Sequence, residues 1–341
     1  MKKIIVTGGT GYIGSHTVVS LIEQGYEVVI IDNLINSDKS ILRGIQNITG
    51  VLPTFYDVDL CDEFATSEVF EKHKDTDAII HFAALKGVGE SVVKPVSYYK
   101  NNLFGLLNVL ENMQKNAINN IVFSSSATVY GDTDILPFTE NLPRKPALSP
   151  YANTKKMGED FIRDTAKADD NFNAISLRYF NPIGAHDSAE IGESPNGIPN
   201  NLMPFITQTA IGLRKELLVF GNDYDTIDGT AVRDYIHVLD LADAHVKAVA
   251  RLVEQEQKTN YEIFNLGTGT GSSVLEVIQS FERTSGKKLT YRIVERRAGD
   301  IPVMYASTDL ANNELGWKSK LSLDDMTASS WKWESKIRGI K

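Results

Sequence analysis

A single cysteine, Cys61, stands in 341 residues. No internal disulfide can form, and no cation beside it marks an activated thiolate, so it reads as a reduced structural residue of a cytoplasmic protein. No apolar run approaches the roughly 18 residues of a membrane-spanning helix. Met1–Val6 begins like a signal peptide, but its apolar stretch stops at Thr7-Gly8-Gly9, short of an h-region of about 7 to 15 residues. It reads instead as a first buried strand. Positive charge is in deficit: 35 Lys and Arg against 44 Asp and Glu leave a net −9. That excludes a broad basic surface for nucleic acid or anionic membrane, although a few local arginines can still hold a phosphate. His16, His81, His186, His237 and His245 do not cluster with one another or with carboxylates. With no zinc spacing, Walker loop or Gly-x-Ser-x-Gly elbow present, no metal site is expected.

What is present is an alternation of short apolar segments with longer amphipathic ones. Strands are expected at Lys3–Thr7, Glu27–Asp32, Thr54–Asp59, Ala78–Ala83, Asn120–Ser125 and Asn173–Arg178. They lack polar alternation, as strands covered on both faces do. Helices are expected at Gly11–Gln24, Asp62–Lys72, Val96–Lys115 and Pro150–Ala168. This order predicts an α/β fold, a doubly wound parallel sheet of Rossmann type. The stretch Pro182–Pro204 is rich in Gly, Pro, Asn and Ser and reads as a site-shaping loop. Beyond it come helices near Asn200–Arg214, Leu239–Glu254 and Ser273–Thr284, strands Leu217–Phe220 and Tyr261–Leu266, and a strand–helix tail. We therefore expect a dinucleotide-binding domain over 1–180 and a smaller α/β substrate lobe over 181–341. A segment near 232–266 can return to pack on the first domain.

Gly8-x-x-Gly11-x-x-Gly14 follows the first strand and opens a helix. Tight turns and close backbone approach to a pyrophosphate need residues without Cβ, and the helix start supplies N–H groups and a positive dipole end. Asp32 ends the second strand about 20 residues on, where it can accept hydrogen bonds from ribose hydroxyls and repel a 2′-phosphate, favouring NAD. Asp59 can reach an adenine edge or cap the helix beginning near Asp62. Phe82-Ala83-Ala84 closes the fourth strand with small residues against which a cofactor can lie. Ser149-Pro150 marks a helix start, placing Tyr151 and Lys155 at i and i+4 on one face. A phenol with a pKa of about 10 is a poor base; a nearby ammonium and a pyridinium ring favour its ionised form. The Ser124-Ser125-Ser126 run ends the fifth strand, where it can orient a reacting alcohol.

Several segments are more specific than the glycine loop: Thr7–Ser15 (TGGTGYIGS), Ala83–Ser91 (AALKGVGES), Phe123–Gly131 (FSSSATVYG), Arg178–Ala185 (RYFNPIGA), Gly197–Pro204 (GIPNNLMP), Phe220–Tyr224 (FGNDY), Val232–His237 (VRDYIH) and Arg296–Pro302 (RRAGDIP). Through them nearly the whole chain resembles the UDP-glucose 4-epimerase family of extended short-chain dehydrogenases/reductases. The resemblance implies that Tyr151 takes the proton of a sugar 4-hydroxyl while NAD takes the C4 hydride. The 4-keto sugar turns over, and the hydride returns to its other face. Lys155 matches the lysine that tunes the tyrosine, and Ser126 the hydrogen-bonding serine. Tyr12, Ile13, Asn33 and Ser124 join the cofactor set, with Lys86, Asn101 and Tyr179 around its nicotinamide half.

The UDP-sugar is implied to meet Asn181, Asn200, Asn201, Leu202, Leu218, Phe220, Arg233, Tyr235, Arg297, Asp300 and Met304, with Lys86, Ser126 and Tyr151 at the hexose. Competing readings pair Arg233 with Asp234 or Asp240, and Arg297 with Asp300. Related 4,6-dehydratases carry an Asp-Glu pair where this chain has Ala127-Thr128, which disfavours dehydration. Met304 occupies the position whose bulk governs an N-acetyl group, so UDP-N-acetylglucosamine or UDP-glucuronate 4-epimerisation stays open. A non-catalytic NAD-binding regulator stays open as well. The resemblance also implies a homodimer.

Overall fold

The computed structural model describes residues 1–297 and 300–340. Ala298 and Gly299, inside the Arg296–Pro302 segment, therefore lie outside the described residues. The first half alternates strand and helix: β1 (Lys3–Thr7), α1 (Tyr12–Glu23), β2 (Glu27–Asp32), α2 (Ser40–Thr49), β3 (Thr54–Asp57), α3 (Glu63–Lys72) and β4 (Ala78–His81). Next come α4 (Val88–Val93), α5 (Pro95–Tyr99), a π-helical turn over Lys100–Phe104, α6 (Gly105–Lys115), β5 (Asn120–Ser126), α7 (Pro150–Ala168) and β6 (Asn173–Tyr179). The expected helix over 96–115 is thus three consecutive pieces. The π turn holds Asn101 and Asn102, an irregularity of the kind that collects at functional sites.

The remainder contains β7 (Asn181–Ile183), α8 (Leu202–Ala210), β8 (Leu217–Phe220), β9 (Val232–Arg233), β10 (Tyr235–His237), α9 (Val238–Val253) and β11 (Tyr261–Leu266). It ends with β12 (Ser272–Ser273), α10 (Val274–Ser285), β13 (Tyr291–Val294), β14 (Val303–Met304), α11 (Asp309–Asn313) and α12 (Leu323–Ile337).

The central sheet has seven strands in the order β11-β6-β5-β4-β1-β2-β3, all parallel. The apolar runs form it because successive side chains enter two separate cores. Ile4, Val6, Ile30 and Ile80 pack with α1 and α9 residues on one face. Ile5, Val29, Ile31 and Ile79 pack with α3, α6 and α7 residues on the other. Each such side chain, fully buried, contributes about 1.5–3 kcal/mol. β11, far along the chain, pairs with β6 at the sheet edge, and α9 packs on α1.

The order reverses between β1 and β4, and ligands of open α/β sheets bind at the strand ends beside such a switch point. A separate core of Ile183, Met203, Ile206, Val219, Tyr235 and Phe281 organises the later elements.

Candidate active site

The loop after β1 closes so tightly on neighbouring backbone that side chains at two of its glycines would clash. Gly8 has φ +71°, and a Cβ there would lie 2.7 Å from Ala83 N; one on Gly14 would lie 2.2 Å from the Gly8 carbonyl oxygen. Gly11 N-caps α1 without any side-chain cap bond, leaving the first helical N–H groups to meet an anion. Asp32 accepts from Thr10 N at 3.1 Å and Leu34 N at 2.9 Å, which fixes the carboxylate at the mouth of the turn.

A cavity of about 540 Å³ opens above this cradle. It is lined by Gly8, Gly11, Tyr12, Ile13, Gly14, Asp32, Asn33, Asp59, Phe82, Ala83, Ala84, Lys86, Asn101, Ser124, Tyr151, Lys155 and Tyr179. Asp62, not Asp59, is the side-chain cap of α3, accepting from Ala65 N at 3.0 Å. Asp59 instead closes a turn by accepting from Cys61 N at 2.9 Å. The same wall includes residues that sequence reasoning missed, among them Thr10, Ile35, Glu193, Trp333 and Arg338. Glu193 carried one faint signal, an acid inside a Gly/Pro-rich loop; Trp333 and Arg338 carried none.

Ser149 caps α7 by accepting from Ala152 N at 3.1 Å, with Pro150 in the first turn, so Tyr151 and Lys155 emerge as the sequence expects. Lys155 Nζ donates to Ser124 O at 2.6 Å and approaches Ser124 Oγ at 3.4 Å. Burial lowers its pKa to about 7. The Tyr151 phenol is pushed up to about 12 by burial, with the Ser126 hydroxyl acting in the opposite direction. Against that burial, the expected depression is one that positive charge beside the phenol, from Lys155 and a bound pyridinium, would supply.

Ser126 Oγ accepts from Thr128 N at 3.2 Å and Thr128 Oγ1 at 3.0 Å, which leaves its own proton to donate. Tyr179 OH donates to His245 Nε2 at 2.5 Å, and His245 Nδ1 donates to Leu241 O at 2.8 Å. Burial holds that imidazole near pKa 4, so it stays neutral and acts as an acceptor.

The other expected substrate residues do not line this cavity. Ser126 lies at the end of β5, and the rest gather in the later elements. Asn181 stands opposite Tyr235, and Arg233 opposite Met304, by strand register. Tyr235 is buried. Leu218 and Phe220 are exposed on β8, and the Arg297 guanidinium lies 5.7 Å from the Phe220 ring centre.

Arg233 pairs with Asp300, and Arg297 reaches the same carboxylate at 3.4 Å. Pairing of Arg233 with Asp234 or Asp240 is corrected here. Asp234 is turned inward to accept from Thr268 N, Gly269 N and Ala306 N, and Asp240 accepts from Lys320 N and Leu321 N. Asn200 and Asn201 precede Leu202, the first residue of α8. They connect the two groups: a Cβ on Gly87, next to Lys86, would lie 3.3 Å from Asn200 Nδ2.

Residues 4–267 match the NAD dependent epimerase/dehydratase family, and the chain belongs to it. Within that family it is 52% identical over 339 residues to the UDP-glucose 4-epimerase of Bacillus subtilis, covering 99% of this chain and 98% of the relative. It superposes with a TM-score of 0.96 and 48% identity on the UDP-glucose 4-epimerase of Stenotrophomonas maltophila with bound NAD and formylated UDP-arabinopyranose, over 99% of each chain. The Bifidobacterium longum UDP-glucose 4-epimerase in complex with NAD+ and UDP gives a TM-score of 0.94 at 46% identity, again over 99% of each. No helix among the described residues is long and apolar enough to cross a membrane.

Proposed function

We propose that the protein interconverts UDP-galactose and UDP-glucose through a transient 4-keto sugar, with NAD as a retained cofactor. One observation carries the reading: the glycine cradle, Asp32, Tyr151 and Lys155 share a single cavity. NAD fits what the residues offer. Glycines 8 and 14 let the turn close on its own backbone, the uncapped start of α1 lines the cavity where a pyrophosphate would sit, and Asp32 presents a carboxylate where a 2′-phosphate would be repelled. NAD supplies the hydride acceptor and donor. The chain's residues do the rest.

Tyr151 is the base for the 4-hydroxyl proton and returns that proton after the sugar has turned. Ser126, both lone pairs engaged by Thr128, donates towards the phenol oxygen and favours its ionised form. Lys155, held by Ser124, adds positive charge and reaches the nicotinamide ribose. Arg233 and Arg297 converge as forks suited to a diphosphate, while Leu218 and Phe220 offer an apolar wall to uracil.

Residues 1–180 thus supply most of the NAD site and 181–341 most of the UDP-sugar site, with β11 and α9 supporting the first part and Glu193, Trp333 and Arg338 closing the NAD cavity. The protein acts as a cytoplasmic homodimer; the exposed apolar residues Val92, Val93, Val96, Phe104 and Leu107 supply a face for the second copy. Incubation with UDP-galactose and no added nucleotide tests the reading. UDP-glucose forms without net NADH; the same incubation with UDP-N-acetylgalactosamine reports whether Met304 admits an acetamido group. A protein that retains NAD yet converts neither sugar is the regulator, not the enzyme.

A further inference from the structure

Glu193 sits between the two groups of site residues. Its side chain is 10% exposed, against 52% for Lys86. Oε1 accepts from Asn201 Nδ2 at 2.7 Å and from Lys86 Nζ at 3.3 Å; among the described residues Oε2 has no donor. The backbone is fixed separately: Trp333 Nε1 donates to Glu193 O at 2.9 Å, and a Cβ on Gly192 would lie 2.4 Å from the Trp333 ring. The carboxylate is therefore built in place, and it lines the cavity.

Asn201 is the N-cap residue of α8 but makes no side-chain cap bond. An asparagine there ordinarily turns its amide oxygen onto a helix-start N–H, here that of Met203, since Pro204 at the third position has none. A carboxylate can only accept, so the Asn201 atom facing Glu193 has to be the amide nitrogen. Glu193 thus draws the amide off its own helix and sets which way it points. Among the described residues Asn201 Oδ1 has no donor.

We infer that Glu193 is a positioning residue for the UDP-sugar: it pins the Asn201 amide by its nitrogen and presents the amide oxygen and the second N–H to the ligand. The inference rests on the UDP-sugar reading. Lys86, which shares Oε1, ties the loop at the nicotinamide side to the same carboxylate.

Glu193→Leu raises KM for UDP-galactose about 5- to 20-fold, the worth of one oriented hydrogen bond, with kcat within about twofold and bound NAD unchanged. Glu193→Gln, which keeps an acceptor oxygen, restores most of the affinity. Glu193→Leu/Asn201→Ala binds no more weakly than Asn201→Ala alone, because the glutamate acts through the asparagine. Freed to cap α8, Asn201 keeps the melting temperature of Glu193→Leu at or above that of the wild type.

An unchanged KM, additive single effects, or a variant that melts well below wild type or fails to fold overturns the inference, the last by showing a structural prop. Calorimetric affinity for UDP gives the same comparison without turnover. UDP binding by a wild type that leaves UDP-galactose unconverted sinks the functional reading and still tests Glu193.

Discussion

Replacing Glu159 by leucine tests what holds the Tyr151 helix to the sheet. Glu159 lies one turn beyond Lys155 on α7, and its side chain is 2% exposed. Arg178 donates to it through Nε and Nη2, both at 2.8 Å, and Ser125 Oγ donates at 2.6 Å. Leucine occupies a similar volume without charge. The Arg178 guanidinium, also 2% exposed, is left with the Glu140 carbonyl at 3.2 Å and the Tyr130 ring at 4.8 Å. Removing one partner of a buried ion pair costs about 3–5 kcal/mol. For 341 residues the melting entropy is about 0.7 kcal/mol per kelvin, so Tm falls by about 4–7 °C.

Glu159→Leu/Arg178→Leu puts apolar groups in place of the pair and recovers most of the loss, since such replacement is often near neutral. The Glu140 carbonyl and Ser125 hydroxyl lose their partners and Arg144, which also donates to Glu159 at 3.2 Å, keeps only Asp160 and the Lys156 carbonyl, leaving a residue of about 1–3 kcal/mol. Urea unfolding at pH 7, followed by tryptophan fluorescence, measures both variants. A single variant within about 1 kcal/mol of wild type, or a double variant no more stable than the single, refutes the reasoning.

Tyr151→Phe keeps the ring and removes the proton acceptor, so bound NAD persists while kcat drops by about 10²–10⁴; near-normal turnover in a UDP-glucose assay rules out the phenol as base. Lys155, lowered by burial from 10.5 to about 7, makes the unfolded chain hold the extra proton between those values. Its destabilisation is full below pH 7 and is relieved as pH rises, by at most about 1.4 kcal/mol per pH unit. Lys155→Met removes that slope. Its urea midpoint therefore exceeds that of wild type by less at pH 9 than at pH 7, and a constant gap contradicts the assignment.

The central sheet was legible because its strands are two-sided apolar runs, and α7 because Ser149-Pro150 is a physical start signal. The cofactor loop was legible for a related reason: only glycine fits where Gly8 meets Ala83 and Gly14 meets Gly8. α2 escaped notice, for Gly44 and Asn47 weaken its helical pattern; Gly44 is there because Glu190 O lies 2.6 Å from where its Cβ would be. Arg233 shows a limit of adjacency. Neighbours along extended backbone face opposite ways, so Asp234 turns inward to backbone donors while Arg233 turns outward to Asp300. Glu193 was only faintly marked and Trp333 invisible as site residues because their roles come from tertiary contact, the indole holding a carbonyl 140 positions away.

The cavity wall is assembled from segments far apart in sequence, with Gly8 on one side and Trp333, Ile337 and Arg338 on another. During synthesis the glycine turn emerges well before α12. A nascent chain can thus display its glycine turn early yet enclose a dinucleotide only once α12 has been made. Cofactor enclosure therefore waits on α12, and a ribosome that stalls before it releases a chain with an open wall.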